Sequence, residues 1–210
     1  YGLKPTYGLV STYRITPTAW SLDTAGPMAR SVSDLALMLA CMAGYDPYDP
    51  ASLNVPIPDY SVESEQSIKG IKIGIPTYYL EGLDQDVKNL FQRAVTTLKK
   101  AGAEMKEIVI PELSMSTWAG YVTVTGEAST FHYEWLQNKP EYYSPDIRSF
   151  FLTGVLSHTP QYVRVQQARR KIVEAMKRAF QDVDLMVAPT LPITTPAFSY
   201  HWVEQNLDVV

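Results

Sequence analysis

The sequence predicts an α/β fold, and three features lead to that expectation. Residues 71–75 (IKIGI) and 104–110 (EMKEIVI) are strand-like apolar runs, and residues 84–101 between them place Val87, Leu90, Phe91, Ala94, Leu98 and Ala101 on one helical face. Strand, helix and strand at this spacing make a βαβ unit, which implies a parallel pair joined by a right-handed crossover. The other two features lie downstream. Val165, Ala168, Ile172, Met176 and Ala179 form an apolar stripe that predicts a helix over residues 160–180, and residues 184–188 (DLMVA) read as a further short strand.

The remaining elements follow in chain order. Residues 1–30 read as a loop with short extended pieces, because Lys4-Pro5, Thr16-Pro17 and Gly26-Pro27 each interrupt regular structure. A helix starts near Ser31 or Ser33, where Ser31-Val32-Ser33-Asp34 has the form of a capping box, and it stops at Gly44. Its residues 35–43 (LALMLACMA) are apolar on all sides, so burial against more than one neighbour is expected. The four prolines of residues 45–68 predict a surface loop or linker. In the second half, residues 117–136 form a candidate helix that Gly120 and Gly126 weaken. Residues 145–156 form another, with Ser144 as cap and Pro145 in the first position. Asp184 to Ala188 runs into Pro189-Thr190-Leu191-Pro192, a rigid loop at a strand end, where site residues gather in open α/β sheets.

Composition narrows the function classes. At roughly 150 residues per domain, 210 residues make one large domain or two small ones. With 46% hydrophobic and 19% charged residues and a mean hydropathy of -0.12, a disordered or collagen-like chain is excluded. The 18 basic and 22 acidic residues provide no basic field for a polyphosphate, so no direct nucleic-acid partner is expected. The longest apolar run is far short of the roughly 20 residues that span a bilayer, so no membrane partner is expected either. The lone Cys41 cannot form an internal disulfide and points to a reducing, cytoplasmic compartment; within an apolar helix it reads as an inert core thiol. The chain opens without an initiator Met or a signal-peptide core, so a processed chain or a piece of a longer one is expected.

Chemistry-bearing motifs are scarce. His132, His158 and His201 lie far apart, and His132 and Glu134 point to different faces of a helix, so no metal site is expected. Asp46 and Asp49 in Asp-Pro-Tyr-Asp-Pro fit turn formation better than calcium binding, which needs six to eight oxygens. There is no Gly-x-Ser-x-Gly elbow and no Gly-rich phosphate loop, so neither a nucleophile nor a cofactor is evident. The charges on the other face of the 160–180 helix, Arg169 and Arg170 among them, read first as a solvated face.

The opening segment is nonetheless far from generic. Gly2-Leu3-Lys4-Pro5-Thr6-Tyr7-Gly8, Val10-Ser11, Ser21-Leu22-Asp23 and Gly26-Pro27-Met28-Ala29-Arg30-Ser31-Val32-Ser33-Asp34 stand in order before the apolar helix, and this string closely resembles the amidase signature family. Ala43-Gly44-Tyr45-Asp46-Pro47 with Asp49-Pro50, Gly70-Ile71-Lys72-Ile73-Gly74-Ile75-Pro76, Glu127-Ala128 with His132, and Asp184 through Pro192 extend the resemblance over nearly the whole chain in the family's order. The resemblance implies a mixed β-sheet flanked by helices, present only in part and incomplete at both ends. Residues 1–68 would be loop, helix and linker after the nucleophile, 69–112 the βαβ unit, 113–183 a helical covering region and 184–210 the late strand and loop.

The family cleaves carboxylic amides with a Ser–Ser–Lys triad and a backbone oxyanion hole, and neither requires a metal or cofactor. None of those groups maps onto this chain, so no catalytic residue is expected within it; Lys4 is not the catalytic lysine. What the resemblance leaves here is scaffold and substrate wall, with Trp20, Arg169, Arg170, Thr190 and Pro192 as candidates. The 160–180 helix resembles one that offers an arginine to the substrate carboxylate in tRNA-dependent amidotransferases, and the choice between Arg169 and Arg170 stays open. Ser21 and Asp23 are expected to organise their loop by hydrogen bonding. Arg14 departs from the family's usual small residue or Gly, so the turn between Ser11 and Pro17 is expected to differ. The resemblance also admits an inert binding scaffold or the amidase component of an amidotransferase. Open sheet edges and apolar faces would favour a homo-oligomer.

Overall fold

The computed structural model describes residues 1–60 and 67–196. Part of the 45–68 loop and the C-terminal stretch with His201 lie outside the described residues.

The first thirty residues form a strap without helices, closed on itself by a bridge between Gly2 and Met28 and by the Leu3 N–H donating to the Pro27 carbonyl at 3.0 Å. A Cβ at Gly26 would overlap the Leu3 carbonyl, so the two ends of the strap touch only because residue 26 is glycine. Gly8 has φ 79° and faces the Ala51 carbonyl, which ties the strap to the 45–53 loop. The Thr12–Ile15 turn closes with the Ile15 N–H on the Thr12 carbonyl at 3.0 Å, and Arg14 takes φ 65° in it. That is a left-handed conformation that favours glycine, which accounts for the oddity of an arginine here.

Helix α1 (Val32–Met42) is capped as expected, the Ser31 hydroxyl accepting from the Asp34 N–H at 3.0 Å. Its expected all-round burial is not observed. Only Leu35 and Leu39 are buried, while Leu37 is 59% exposed. Cys41 is exposed rather than a core thiol. No other described helix or strand makes an extended contact with α1.

The α/β fold is present as a small sheet flanked by helices. Strands β1 (Lys72–Pro76), β2 (Glu104–Ile108) and β3 (Leu185–Met186) run parallel in the order β2-β1-β3. Ile73 pairs with Met105 on one side and Leu185 on the other. All three described strands are parallel, and antiparallel pairing is confined to the isolated bridges Gly2–Met28 and Val10–Ala43. β3 is shorter than its apolar run, but Asp184 extends the join: its N–H reaches the Lys72 carbonyl and its carboxylate takes the Lys72 N–H, both at 2.8 Å. Helix α2 (Gln85–Lys100) is where the periodicity placed it, yet it has no buried residue. Val87, Phe91 and Leu98 are half-buried, and Leu90 is 59% exposed. Its one extended contact with another described element is with β2.

Helices α3 (Ser116–Asn138), α4 (Pro145–Val155) and α5 (Thr159–Ala179) form the second layer, with α3 between the other two. Gly120 and Gly126 do not break α3. The core lies in three clusters: Ile110, Leu113 and Ala175 behind the sheet, Ala119, Val122 and Val165 between α3 and α5, and Ala128, Leu136 and Phe151 between α3 and α4. Gly154 sets the α3–α4 distance, because a Cβ there would overlap the Thr125 carbonyl. We predict that Gly154→Ala destabilises the protein by about 2–3 kcal/mol through forced separation of the two helices. Urea denaturation would show this as a lower midpoint with the slope unchanged.

Candidate functional site

Helix α3 turns an unusual row of polar side chains inward: Thr123, Thr125, Glu127, Ser129 and His132 are all buried. Glu127 is 1% exposed. A buried carboxylate survives only where donors replace its lost water. Three do so here. The Ser21 hydroxyl donates to Oε1 at 2.7 Å, the Ser21 N–H to Oε2 at 3.0 Å, and the Tyr162 hydroxyl to Oε1 at 2.9 Å. From α5, Arg169 donates to the Ser21 Oγ at 3.0 Å and to the Ser21 carbonyl at 2.9 Å. Ser21 is thus gripped through its N–H, hydroxyl and carbonyl, with anion on one side and cation on the other. The hydroxyl's proton is committed to the carboxylate and a lone pair to the guanidinium, and the strap is tied to α3 and α5 through it.

Two further contacts position the same segment. Asp23 accepts the Thr18 and Ala19 N–H groups at 2.8 and 3.0 Å, which folds residues 18–23 into a tight loop. His132 lies 3.1 Å from the Pro17 carbonyl through Nε2 and 2.8 Å from the Tyr143 hydroxyl through Nδ1. A carbonyl only accepts, so Nε2 donates to Pro17. The imidazole is stacked on Phe151 with 4.8 Å between centroids. The Asp-Pro-Tyr-Asp-Pro carboxylates make turns as expected, and Asp49 also accepts the Thr12 N–H and hydroxyl, which hold its carboxyl below the usual range.

These ties place Trp20 between two cavities. One is a groove of about 870 Å³ bounded by Tyr7, Tyr13, Tyr48 and Phe131; the other is a cleft of about 260 Å³ bounded by Gly126, Glu127, Ser157 and Tyr162. Trp20 is 51% exposed and walls both. Arg169, half-buried, is brought beside it through Ser21. Arg170 is exposed on another side of α5, near Glu112 and Arg178. Thr190 is exposed and walls neither cavity, and the Pro192 carbonyl accepts the Asp84 N–H at 2.8 Å ahead of α2. Sequence reasoning missed Glu127 as the hub and missed Tyr162 altogether. Among the described residues, no group of His, Cys, Asp and Glu could hold a metal ion, and no helix is long and apolar enough to cross a membrane.

The amidase family model matches residues 1–209. An amidase of Pseudomonas putida is 37% identical over 194 residues, covering 91% of this chain and 42% of that protein. A glutamyl-tRNA(Gln) amidotransferase subunit of Geobacter sp. (strain M21) is 35% identical over 222 residues, covering 94% of this chain and 45% of its own length. Among solved structures, a vestigial protein complex bearing on the origins of an s-triazine catabolic enzyme superposes with a TM-score of 0.86 at 30% identity, over 94% of this chain and 42% of that one. The corresponding glutamyl-tRNA(Gln) amidotransferase subunit from Thermotoga maritima gives a TM-score of 0.78 at 27% identity, over 93% and 43%. The chain spans less than half the length of these relatives, so its fold is a part of theirs.

Burial, and then the bond to the Glu127 carboxylate, push the Tyr162 hydroxyl up from its ordinary value of 10.0 to about 12. The unfolded chain gives up this proton near its ordinary value. The stability gained is therefore complete below about pH 10 and is lost as pH rises towards about 12. In a tyrosinate absorbance titration, the step absent from Tyr162→Phe should fall near the upper value, and Glu127→Ala should bring it down.

Proposed function

Because the chain belongs to the amidase family, we propose that it is part of a hydrolase that cleaves carboxylic amide C–N bonds through an acyl-serine intermediate. In this reading a serine oxygen attacks the amide carbonyl while its proton passes, through a second serine and a lysine, to the leaving amine. Water then releases the acid and restores the serine. Nucleophile, relay and oxyanion donors come from sequence beyond these 210 residues, and no metal or cofactor takes part. The 210 residues alone are inert and supply scaffold and substrate wall in a cytoplasmic enzyme.

The match of the family model across residues 1–209 supports this reading most directly. Among the described residues the bonded lysine Nζ groups reach the Pro5 carbonyl, Asp182 and Glu174. Trp20 forms the wall between the two cavities. Arg169 rather than Arg170 is the wall arginine, because it lies beside the strap and keeps N–H groups beyond the two on Ser21. Thr190, on the loop after β3, walls neither cavity, so in this reading it meets substrate only together with the rest of the longer protein.

A second reading has a specific observation behind it. The identity of 35% to the Geobacter amidotransferase protein equals, within a few per cent, the identity to the P. putida amidase. In that reading the same amide cleavage delivers ammonia inside a multi-subunit complex, and co-purification with a partner protein identifies it. For either reading, a longer protein containing this chain behind a Gly/Ser-rich segment is expected to be labelled by a serine-reactive fluorophosphonate and to release ammonia from carboxamides. The 210-residue chain is expected to do neither. Absence of labelling in the longer protein, or amide turnover by the 210 residues alone, contradicts the proposal.

A further inference from the structure

We infer that the cleft between α2 and the carboxyl ends of β1 and β2 is a binding site for a zwitterionic α-amino acid with an apolar side chain. The inference does not rest on the amidase reading, because this cleft shares no lining residue with the two cavities at Trp20.

A cavity of about 420 Å³ lies there, with an apolar lining of Ile75 from β1, Leu80 and Leu83 from the connection that follows, and Phe91 and Val95 from α2. Ile75 is buried and the other four are half-buried. Phe91 and Val95 stand four residues apart and so share one face of the helix. Ile75 is the second-to-last residue of β1, and its register partner Glu107 is the second-to-last of β2. The cleft therefore sits at the carboxyl ends of parallel strands, where open α/β sheets receive their ligands. Its volume falls near the lower end of the roughly 300–1,000 Å³ typical of small-molecule sites.

Two opposite charges stand beside this apolar lining, and neither has a partner. Lys88 and Glu107 both border the cleft and both are exposed. The ion pairs among the described residues are Lys106–Asp182, Lys177–Glu174 and Arg178–Glu112, so Lys88 and Glu107 do not pair with each other. Neither side chain hydrogen-bonds a described residue. The contrast within β2 is direct: Lys106 reaches Asp182 at 2.8 Å, while Glu107, the next residue, points to the opposite face of the sheet and reaches nothing. Of the neutral polar groups, the Thr96 hydroxyl is spent on the Gln92 carbonyl at 2.8 Å, and the Gln92 amide is left to add a hydrogen bond. A simple carboxylic acid here is opposed by Glu107, and a simple amine by Lys88. A molecule that carries both charges on one carbon meets an opposite charge at each. The apolar lining then takes its side chain out of water.

The test is a set of ligand-observed NMR titrations of the 210-residue protein with L-leucine, L-leucinol and 4-methylpentanoate. All three carry the same apolar chain; leucinol lacks the carboxylate and 4-methylpentanoate lacks the ammonium group. Leucine should bind about three- to fivefold more tightly than either, the ratio that one exposed charge contact supplies. Lys88→Met should remove the advantage over leucinol, and Glu107→Gln the advantage over 4-methylpentanoate. Both side chains are exposed, so neither change touches the core. No binding of leucine, equal binding of the three, or either advantage surviving its own variant overturns the inference. Serine labelling of a longer protein plays no part in this measurement, so its outcome leaves the amidase reading where it stands.

Discussion

The structure depends on one buried anion. The Glu127 carboxylate is sealed from water and accepts hydrogen bonds from a serine 106 residues away in sequence and from a tyrosine on a neighbouring helix. Taken alone, such a charge would cost several kcal/mol to bury; it is tolerated because three donors and the nearby Arg169 replace the lost hydration. The same bonds fix residue 21 of the strap against α3 and α5. Residues 1–30 contain no helix and almost no sheet, so their conformation follows from point contacts. Ser21 with Glu127, Pro17 with His132, and Gly8 with Ala51 are three such points. Through the first of them, α3 and α5 decide where Trp20 stands and hence where the two cavities lie.

Close approach matters as much as polar pairing. α3 carries the hub because its neighbours come near it on both sides: Gly154 brings α4 onto the Thr125 backbone, and Gly126 leaves room for the Tyr162 ring at 3.2 Å from where a Cβ would sit. A larger residue at either position would move a helix or the tyrosine that donates to Glu127. The sheet has a different part. β1 holds β2 and β3 in parallel, but the groove is built by the strap, the 45–53 loop and α3, and the cleft by Trp20 and the helical layer.

Much of this was legible in the sequence. The βαβ unit could be read because a period of two and a period of 3.6 alternate cleanly between residues 71 and 110. α3 could be read through its two glycines because its length outweighs their propensity cost. What failed was burial. An apolar helix states what it would bury, not which neighbours are present, so the all-round apolarity of α1 misled about Leu37 and Cys41. Of the site, Ser21 and Asp23 were expected as loop organisers from their motif, whereas Glu127 as a hub was not, because nothing local reveals a partner 106 residues distant. A signal was present. An acidic residue between Gly126 and Ala128, with Thr123 and Ser129 close by, sits where a buried face would otherwise be small and apolar. Arg169 was likewise separable from Arg170, since it lies four residues after Val165 and three before Ile172, on the edge of the buried stripe, and Arg170 is turned about 100° away.

The most direct measurement of the hub's role is a double-mutant cycle with Ser21→Ala and Glu127→Gln, read by urea unfolding. If the serine and the carboxylate hold the strap through each other, the two losses are strongly non-additive, with a coupling of about 1–2 kcal/mol. Losses that add to within about 0.3 kcal/mol would mean that each side chain acts alone and that the strap is held by something else.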